Sequence, residues 1–166
     1  MKTRIYTNKA TPIGDVYIVV EDEKLTAIYM GEEDFLEGEI KSALQYDPAD
    51  PLIKECLLQL AQYFNGERQE FNLPIEPQGT VFQKAVWKEL SFIPFGETRS
   101  YQDIAVKIGN EKAVRAIGQA NKANHLPIII PCHRVIGKNK SLTGYAGTRT
   151  EIKEQLLTLE GAGYKK

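Results

Sequence analysis

The chain has 166 residues, of which 42% are hydrophobic and 26% are charged. This composition is typical of a globular protein with one ordinary domain or two small ones, and it excludes a low-complexity or fibrous chain. The first residues lack the apolar core of a signal peptide, and no apolar run approaches the ~18 residues that span a bilayer. We therefore expect a cytoplasmic protein that does not enter a membrane.

The net charge of −1 conceals a charge asymmetry along the chain. Residues 1–76 carry 7 Lys and Arg against 15 Asp and Glu, whereas residues 97–153 carry 10 against 4. This difference indicates that only the second half would meet a polyanion such as a nucleic acid. Uneven surface charge is also common in proteins without such a partner, so the motifs must decide.

Cysteine and histidine usage gives little sign of a disulfide or a metal. Cys56 and Cys132 lie in different sequence contexts, which argues against a disulfide framework and favours a reducing compartment. Together with His125 and His133 they lack the Cys-x-x-Cys or His-x-x-x-His spacing of a zinc site. We expect no metal site.

The first half of the chain predicts strands followed by a helix. β-Branched and aromatic runs at residues 14–20 and 25–30, separated by a charged turn, are typical of a hairpin in a small sheet. From Pro51 to Phe64, apolar residues recur at three-to-four spacing, which predicts a helix. Cys56 lies on the apolar face of this helix and is expected in the core.

A proline-punctuated segment at residues 72–79 predicts a domain boundary. We therefore divide the chain into an N-terminal α/β support domain, residues 1–76, and a C-terminal domain, residues 77–166.

The second half predicts short helices. Thr80 is placed to cap a helix that ends before Pro94, and Ser100 is placed to cap a second helix over residues 101–108. A Gly-Asn turn follows, and residues 112–122 predict a third helix. The last two helices favour a helix-turn-helix, although an ordinary helical hairpin fits the pattern equally well.

The third predicted helix carries small residues where a reader of the major groove would carry Asn, Gln, Arg or Lys. Only Arg115 and Asn121 project from it. This pattern favours binding without sequence readout, in which Arg115 enters the space of an extruded base, as inserted side chains do in minor-groove proteins. The small residues are Ala113, Val114, Ala116, Gly118 and Ala120.

Residues 128–136 read Ile-Ile-Ile-Pro-Cys-His-Arg-Val-Ile, an apolar run and a proline turn followed by a thiol beside a histidine and an arginine. A thiol attacks as its thiolate, which a neighbouring cation or histidine favours. Cys132 is therefore a candidate nucleophile with His133 beside it. The open alternative is that Cys132 is a small hydrophobic residue of the core.

Several motifs of the second half occur together and in order: Phe82-Gln83-x-x-Val86-Trp87, Ile93-Pro94-x-Gly96-x-Thr98-x-Ser100-Tyr101, Arg115-Ala116-Ile117-Gly118, Asn124, Pro131-Cys132-His133-Arg134-Val135, Gly144-Tyr145-x-Gly147 and Leu156-Leu157-x-x-Glu160-Gly161. Together they closely resemble the O6-alkylguanine-DNA alkyltransferases. The likeness is dense over residues 80–161 and extends to the first 76 residues only in arrangement.

The resemblance implies an α/β fold with a small ribonuclease-H-like N-terminal domain and a helical, winged-helix-like DNA-binding C-terminal domain. It implies that Cys132 takes an alkyl group from O6 of guanine, or O4 of thymine, in one irreversible displacement, so that each molecule acts once. The partner would be duplex DNA bearing alkylated bases, bound through its minor groove with the damaged base flipped out. No cofactor is implied, and we expect a monomer.

The resemblance also implies roles for single residues. His133 would act as a base on Cys132 through a water, held by the carboxylate of Glu160. Asn124 would brace the turn that carries the nucleophile, and Tyr101 would donate its hydroxyl to the flipped base. The predicted DNA contacts are Arg115, Ala113, Val114, Ala116, Gly118, Asn121, Ser100 and Arg134. The predicted base pocket is formed by Val135, Tyr145, Ala146 and Pro127.

Two other classes of protein are compatible with parts of the pattern. A non-catalytic sensor of alkylated DNA with the same fold is disfavoured by the presence of Cys132, His133 and Glu160. A cysteine hydrolase or thiol-redox protein that does not use DNA is disfavoured by the basic second half and by the lack of a Cys-x-x-Cys motif.

Overall fold

The structure, a computed structural model, describes residues 4–137 and 150–164. The chain divides into two compact units between Gln78 and Gly79. Clusters of buried hydrophobic side chains lie in each unit. No helix in the described ranges is both long enough and apolar enough to cross a bilayer.

The first unit contains a sheet of four strands: β1 (Arg4–Thr11), β2 (Gly14–Glu21), β3 (Lys24–Met30) and β4 (Gln45–Tyr46). The strand order is β3-β2-β1-β4, antiparallel except for β4, which is parallel to β1. Asp22 and Glu23 have positive φ between β2 and β3, as in the type I′ turns whose twist suits a hairpin. The predicted hairpin is therefore confirmed.

Two helices of the first unit, α1 (Glu32–Gly38) and α2 (Pro51–Phe64), pack against the sheet. Phe35 of α1 is buried and stacks on Tyr17 with ring centroids 4.5 Å apart. The helix α2 begins as predicted, because the Asp50 side chain accepts the Ile53 amide and Pro51 fills the first helical position. Cys56 is buried on its inner face.

The described part of the second unit is mainly helical, with α3 (Val81–Leu90), α4 (Tyr101–Lys107), α5 (Val114–Lys122) and α6 (Thr150–Glu160). The predicted caps Thr80 and Ser100 both form capping boxes, in which side chain and backbone satisfy each other. The helix α5 begins two residues later than predicted, because the amide of Ala113 closes a turn on the Asn110 carbonyl.

Two contacts within the second unit position its functional residues. The short strands β5 (Arg99–Ser100) and β6 (Val135–Ile136) pair in parallel, which fixes the start of α4 beside the segment that follows Cys132. The indole N–H of Trp87 on α3 donates to the Ala120 carbonyl of α5 at 2.8 Å. With a sheet in one unit and helices in the other, the expected α/β fold class is confirmed.

Candidate active site

The candidate nucleophile Cys132 follows a sharply bent stretch of backbone. Pro131 has φ −78° and ψ 63°, and the Cys132 amide donates to the Ile130 carbonyl at 2.7 Å, which is an inverse γ-turn. Ile128 has φ +75°, a conformation that costs a β-branched residue about 1–3 kcal/mol. Such a turn persists only where its surroundings hold it.

Two buried asparagines hold the bent stretch. Asn124 accepts the Leu126 amide at 3.0 Å and donates to the Ile130 carbonyl at 2.9 Å. Asn121 on α5 donates to the Cys132 carbonyl at 3.3 Å. The expected DNA contact by Asn121 is corrected here, because its side chain is only 2% exposed and faces the nucleophile segment.

His133 is completely buried, and its Nε2 lies 2.7 Å from a carboxylate oxygen of Glu160. Burial lowers the pKa of His133, and the positive charges of Arg134 and Lys153 lower it further against the effect of Glu160. The imidazole is therefore neutral at pH 7 and donates its Nε2 proton to Glu160. The other ring nitrogen, Nδ1, then has the lone pair that a base requires.

Arg134 binds the same carboxylate through two nitrogens, with Nε–Oε1 and Nη2–Oε2 distances of 2.8 and 3.0 Å. Its third nitrogen donates to the Ile93 carbonyl at 2.7 Å. Burial alone would raise the pKa of Glu160, but the hydrogen bonds from His133 and Arg134 outweigh it and hold that pKa well below its usual range. Glu160 is therefore a carboxylate at neutral pH. The expected DNA contact by Arg134 is corrected, because its buried guanidinium is engaged inside the unit.

Local backbone geometry places the Glu160 carboxylate at the end of α6. Gly161 follows with φ +72°, and the Ala162 amide donates to the Leu157 carbonyl at 3.0 Å, which ends the helix in a Schellman motif. Gly96 approaches from the loop after α3, with its amide 3.5 Å from Oε1 of Glu160. A Cβ on Gly96 would lie 3.3 Å from the Glu160 carbonyl oxygen, and φ there is +84°, so glycine suits this position on both counts.

Sequence reasoning missed Lys153, which is 0% exposed and donates from Nζ to the Val135 carbonyl at 2.5 Å. Burial lowers the pKa of Lys153 to about 8, while a Cys132 thiolate acts in the opposite direction. A signal for this position was available in the sequence. Lys153 precedes Leu156 and Glu160 by three and seven residues, a spacing that puts all three on one face of α6.

Tyr101 and Ser100 lie at the start of α4. The Ser100 hydroxyl oxygen accepts the Asp103 amide at 3.0 Å, so this predicted DNA contact serves as the helix cap. Tyr101 is half-buried. A Cβ on Gly118 would lie 4.0 Å from Cε1 of Tyr101, so the aromatic ring lies beside α5 at one of its small residues.

The outer face of α5 holds other predicted DNA contacts. Arg115 and Ala116 are exposed, Val114 is 36% exposed, and Ala113 is the half-buried N-cap residue. Gln119 and Lys122 are also exposed on α5, so the helix offers two cations and one amide side chain among its small residues, not Arg115 alone as predicted. Its opposite side is buried through Ile117, Ala120 and Asn121.

The predicted base pocket is only partly within the described residues. Pro127 is buried and forms a backbone bridge with Ile130 across the bent stretch. Val135 is buried in β6, and Tyr145 and Ala146 lie outside the described residues. Within the described ranges, no three His, Cys, Asp or Glu side chains are grouped so that they could hold a metal ion.

Comparison with known proteins follows the same division of the chain. Residues 4–77 match the family domain described as 6-O-methylguanine DNA methyltransferase, ribonuclease-like domain. Residues 81–162 match the domain described as 6-O-methylguanine DNA methyltransferase, DNA binding domain.

Individual relatives match nearly the whole chain. The constitutive methylated-DNA–protein-cysteine methyltransferase of Bacillus subtilis is 49% identical over 160 residues, which cover 96% of this chain and 97% of the relative. The Haemophilus influenzae methylated-DNA–protein-cysteine methyltransferase is 39% identical, with 99% and 90% covered. The crystal structure of Mycobacterium tuberculosis OGT in complex with DNA superposes with a TM-score of 0.85 at 41% identity, with 94% and 92% covered. The chain therefore belongs to the 6-O-methylguanine DNA methyltransferase family.

Proposed function

We propose that this protein repairs DNA by moving an alkyl group from O6 of guanine, or O4 of thymine, to the sulfur of its own Cys132. The observation that carries the proposal is the buried hydrogen bond between His133 and Glu160. His133 directly follows Cys132 in the chain, so this bond orients a base beside the nucleophile. Relatives named methylated-DNA–protein-cysteine methyltransferases match nearly the whole chain, which supports the same reaction here.

The proposed reaction begins with proton transfer. The thiol proton of Cys132 passes through a water to Nδ1 of His133, and the Glu160 carboxylate stabilises the resulting imidazolium. Arg134 keeps that carboxylate ionised and in place. This arrangement supplies a base that is neutral before the reaction and stabilised once it is charged.

The thiolate then attacks the alkyl carbon in line with the bond to O6. The sulfur–carbon bond forms as the carbon–oxygen bond breaks, and the electron pair leaves on guanine. A hydrogen bond from the Tyr101 hydroxyl to a ring nitrogen of the base would reduce the charge that develops there. The proton held by His133 returns to the base through water. Because a thioether does not release its alkyl group under ordinary conditions, each molecule acts once.

The outer face of α5 supports binding to the minor groove of duplex DNA. Its small residues allow close approach to the groove, and the exposed Arg115 and Lys122 add positive charge opposite the phosphates. The target oxygen is inaccessible inside a duplex, so the base must be flipped out at a cost of a few kcal/mol. Arg115 would occupy the vacated space, and backbone groups around Cys132 and Val135 would read the edge of the base. The Mycobacterium tuberculosis structure contains DNA, which supports DNA as the partner here.

We also propose that the protein acts as a monomer in the cytoplasm. One chain carries the nucleophile, the base and the helix that would contact DNA. A reducing compartment would keep the Cys132 thiol available for reaction.

The test is to incubate the protein with a duplex that holds a single O6-methylguanine and then to measure its intact mass. We expect a gain of one CH2 and no more, located on the peptide that contains Cys132. The near-isosteric variant Cys132→Ser should gain no mass, and neither should the wild type with an undamaged duplex. An unchanged wild-type mass despite tight binding to the lesion would overturn the proposal and favour a sensor of the same fold.

A further inference from the structure

The second unit buries a side-chain oxygen that has no hydrogen-bond partner among the described residues. This atom is Oδ1 of Asn121, on the inner face of α5. A buried oxygen that gives up its hydrogen bonds to water destabilises a fold unless another donor replaces them, so it calls for an explanation. The expected contact with DNA does not supply that donor, because the side chain is buried against the nucleophile segment.

The Cys132 carbonyl fixes the orientation of the Asn121 carboxamide. The amide nitrogen Nδ2 lies 3.3 Å from the carbonyl oxygen of Cys132. A carbonyl oxygen only accepts hydrogen bonds, so the nitrogen must face it, and Oδ1 takes the other arm of the planar group. Oδ1 therefore lies beside the backbone of the residue that carries the reactive sulfur.

The backbone around Asn121 is held as well. The carbonyl of Ala120, one residue earlier, accepts the indole N–H of Trp87 at 2.8 Å. The carbonyl of Asn121 accepts the amide of Asn124 at 3.4 Å, and the Asn124 side chain braces the bent stretch before Cys132. The carboxamide is therefore fixed from both sides relative to the nucleophile.

The proposed reaction contains a donor that needs an acceptor in this region. The water that carries the thiol proton, called the relay water below, accepts the S–H of Cys132 and donates one proton to Nδ1 of His133. A buried water typically makes about three hydrogen bonds, so its second O–H also needs an acceptor. The Glu160 carboxylate is already bound by His133 and Arg134. Oδ1 of Asn121 has the acceptor capacity that the relay water requires.

We propose that Asn121 is a positioning residue whose Oδ1 accepts the second O–H of the relay water and orients that water between Cys132 and His133. The thiol gives its proton to the water as the water gives one of its own to Nδ1, so the water is restored and the sulfur becomes a thiolate. The hydrogen bond to Oδ1 is present before and after this transfer. The inference rests on the proposed function, and it adds the group that holds the water in line.

The first experiment compares crystal structures of the wild type and Asn121→Leu at a resolution that shows ordered water. Leucine has nearly the same shape as asparagine but accepts no hydrogen bond. We expect a water within hydrogen-bond distance of both Oδ1 and Nδ1 of His133 in the wild type, and none at that place in Asn121→Leu. A protein group bound to Oδ1 in the wild type, or a water that keeps its place in the variant, would overturn the inference.

The second experiment measures single-turnover methyl transfer from a duplex with O6-methylguanine. General base catalysis contributes about 10²- to 10⁴-fold to a rate. Because the base stays in place and only its water loses orientation, we expect Asn121→Leu to be about 10- to 100-fold slower at pH 7.

The pH dependence distinguishes the relay from simple packing. An ordinary thiol ionises between about pH 8 and 9 without help, so the slowing in Asn121→Leu should shrink as the pH rises from 7 to 9. A packing defect would slow transfer equally across this range, and that result would contradict the inference. The charged groups that bear on His133 are the same in both proteins: Glu160, Arg134 and Lys153.

A matched control is Gln59→Leu, which removes an equally buried amide from α2 in the first unit. Both ends of this amide bind Asn72, whose N–H donates to Oε1 at 2.9 Å and whose carbonyl accepts from Nε2 at 3.0 Å. Gln59→Leu should therefore lose more stability in urea than Asn121→Leu, yet transfer methyl groups at the wild-type rate. Equal slowing in the two variants would show that the loss of any buried amide is responsible, and it would overturn the inference.

These outcomes separate the inference from the proposed function. If the wild type accepts a methyl group and Asn121→Leu does so equally fast at pH 7, only the role of Asn121 is contradicted. If the wild type binds the water at Oδ1 but accepts no methyl group, only the proposed reaction is contradicted.

Discussion

The two cysteines of this chain lie in different units and are almost equally buried, with 0% exposure for Cys56 and 1% for Cys132. Cys56 lies on the apolar face of α2, where burial and the neighbouring Glu55 raise the pKa of its thiol to about 12. Cys132 has a neutral base beside it in the chain and a buried ammonium that acts on it. The comparison teaches that burial alone makes a thiol inert, and that the charges buried with it decide whether it can react.

The surroundings of the two cysteines also differ in how closely they follow the usual preferences for backbone conformation and for burial of charged residues. Around Cys56 the chain is a regular capped helix with an apolar face. Around Cys132 it holds a β-branched residue at positive φ, a buried lysine and a buried arginine–carboxylate pair. Departures of this kind concentrate at functional sites, where geometry is maintained at some cost in stability.

The largest expected effect comes from breaking the charge network with Glu160→Gln. Removing one partner of a buried ion pair costs about 3–5 kcal/mol, because Arg134 is left without its carboxylate. His133 also loses the group that orients its ring, so we expect methyl transfer to slow together with the loss of stability. Urea denaturation and single-turnover transfer rates measure the two effects.

The pH dependence of that stability loss has a defined sign. The folded protein holds the pKa of Glu160 well below its usual value of 4.5. The Glu160 carboxylate therefore contributes its full share to the free energy of unfolding above about pH 4.5. This contribution fades as the pH falls towards the pKa of Glu160 in the folded protein. The difference between wild type and Glu160→Gln should shrink in acid.

A matched control for Glu160→Gln is Glu97→Gln. Glu97 lies 3.0 Å from Arg99, but neither side chain is buried, with 53% and 38% of their surfaces exposed. Exposed pairs contribute at most about 1 kcal/mol, so Glu97→Gln should be nearly neutral. Equal losses in the two variants would show that burial of the network is not what matters.

A smaller effect, and one of opposite sign, is expected from Lys153→Met. Burial lowers the pKa of Lys153 from 10.5 to about 8, which corresponds to a cost of ~3 kcal/mol for keeping the ammonium charged inside the fold. Removing it loses one hydrogen bond to Val135, worth about 1 kcal/mol. We expect Lys153→Met to raise the free energy of unfolding by about 1–3 kcal/mol at pH 7.

The gain in stability should depend on pH. Below pH 8 the folded wild type carries the full cost of the buried ammonium, whereas above it the folded protein releases that proton. In the unfolded chain Lys153 keeps its proton up to about pH 10.5. The cost of the buried ammonium therefore fades between pH 8 and pH 10.5, and the stability advantage of Lys153→Met fades with it. A lysine with a purely structural role would make Lys153→Met less stable than the wild type, and urea denaturation at pH 7 and 10 would reveal it.

Much of the fold could be predicted because its signals are local. The hairpin of β2 and β3 follows from β-branched runs around a charged turn, and the starts of α3 and α4 follow from Thr80 and Ser100 as capping residues. Within the site, Cys132 and His133 were identifiable as neighbours in sequence. Glu160 required the resemblance to a known family, because 27 residues separate it from His133.

The remaining parts of the site depend on partners that are distant in sequence. Arg134 and Asn121 resemble exposed DNA-binding residues when they are considered alone. Their burial is explained by distant partners, the Glu160 carboxylate and Ile93 carbonyl for Arg134 and the Cys132 carbonyl for Asn121. The positive φ of Ile128 has no local signal, since its residue type opposes it. Lys153 was detectable from its spacing on α6, but a charged residue on an apolar face usually indicates the edge of that face.

The smallest expected effect on stability and activity comes from Cys56→Ala, which removes the inert one of the two cysteines. Removing one buried sulfur from α2 deletes about one methylene equivalent of packing, so the fold should lose about 1 kcal/mol. The methyl-transfer rate should stay unchanged, because the high pKa of Cys56 keeps its thiol protonated and uncharged at neutral pH. Urea denaturation and single-turnover transfer with the same duplex test both points. A slower transfer in Cys56→Ala would show that the two sulfurs are coupled. The charged groups around each thiol would then not be enough to explain why one buried thiol is inert and the other reactive.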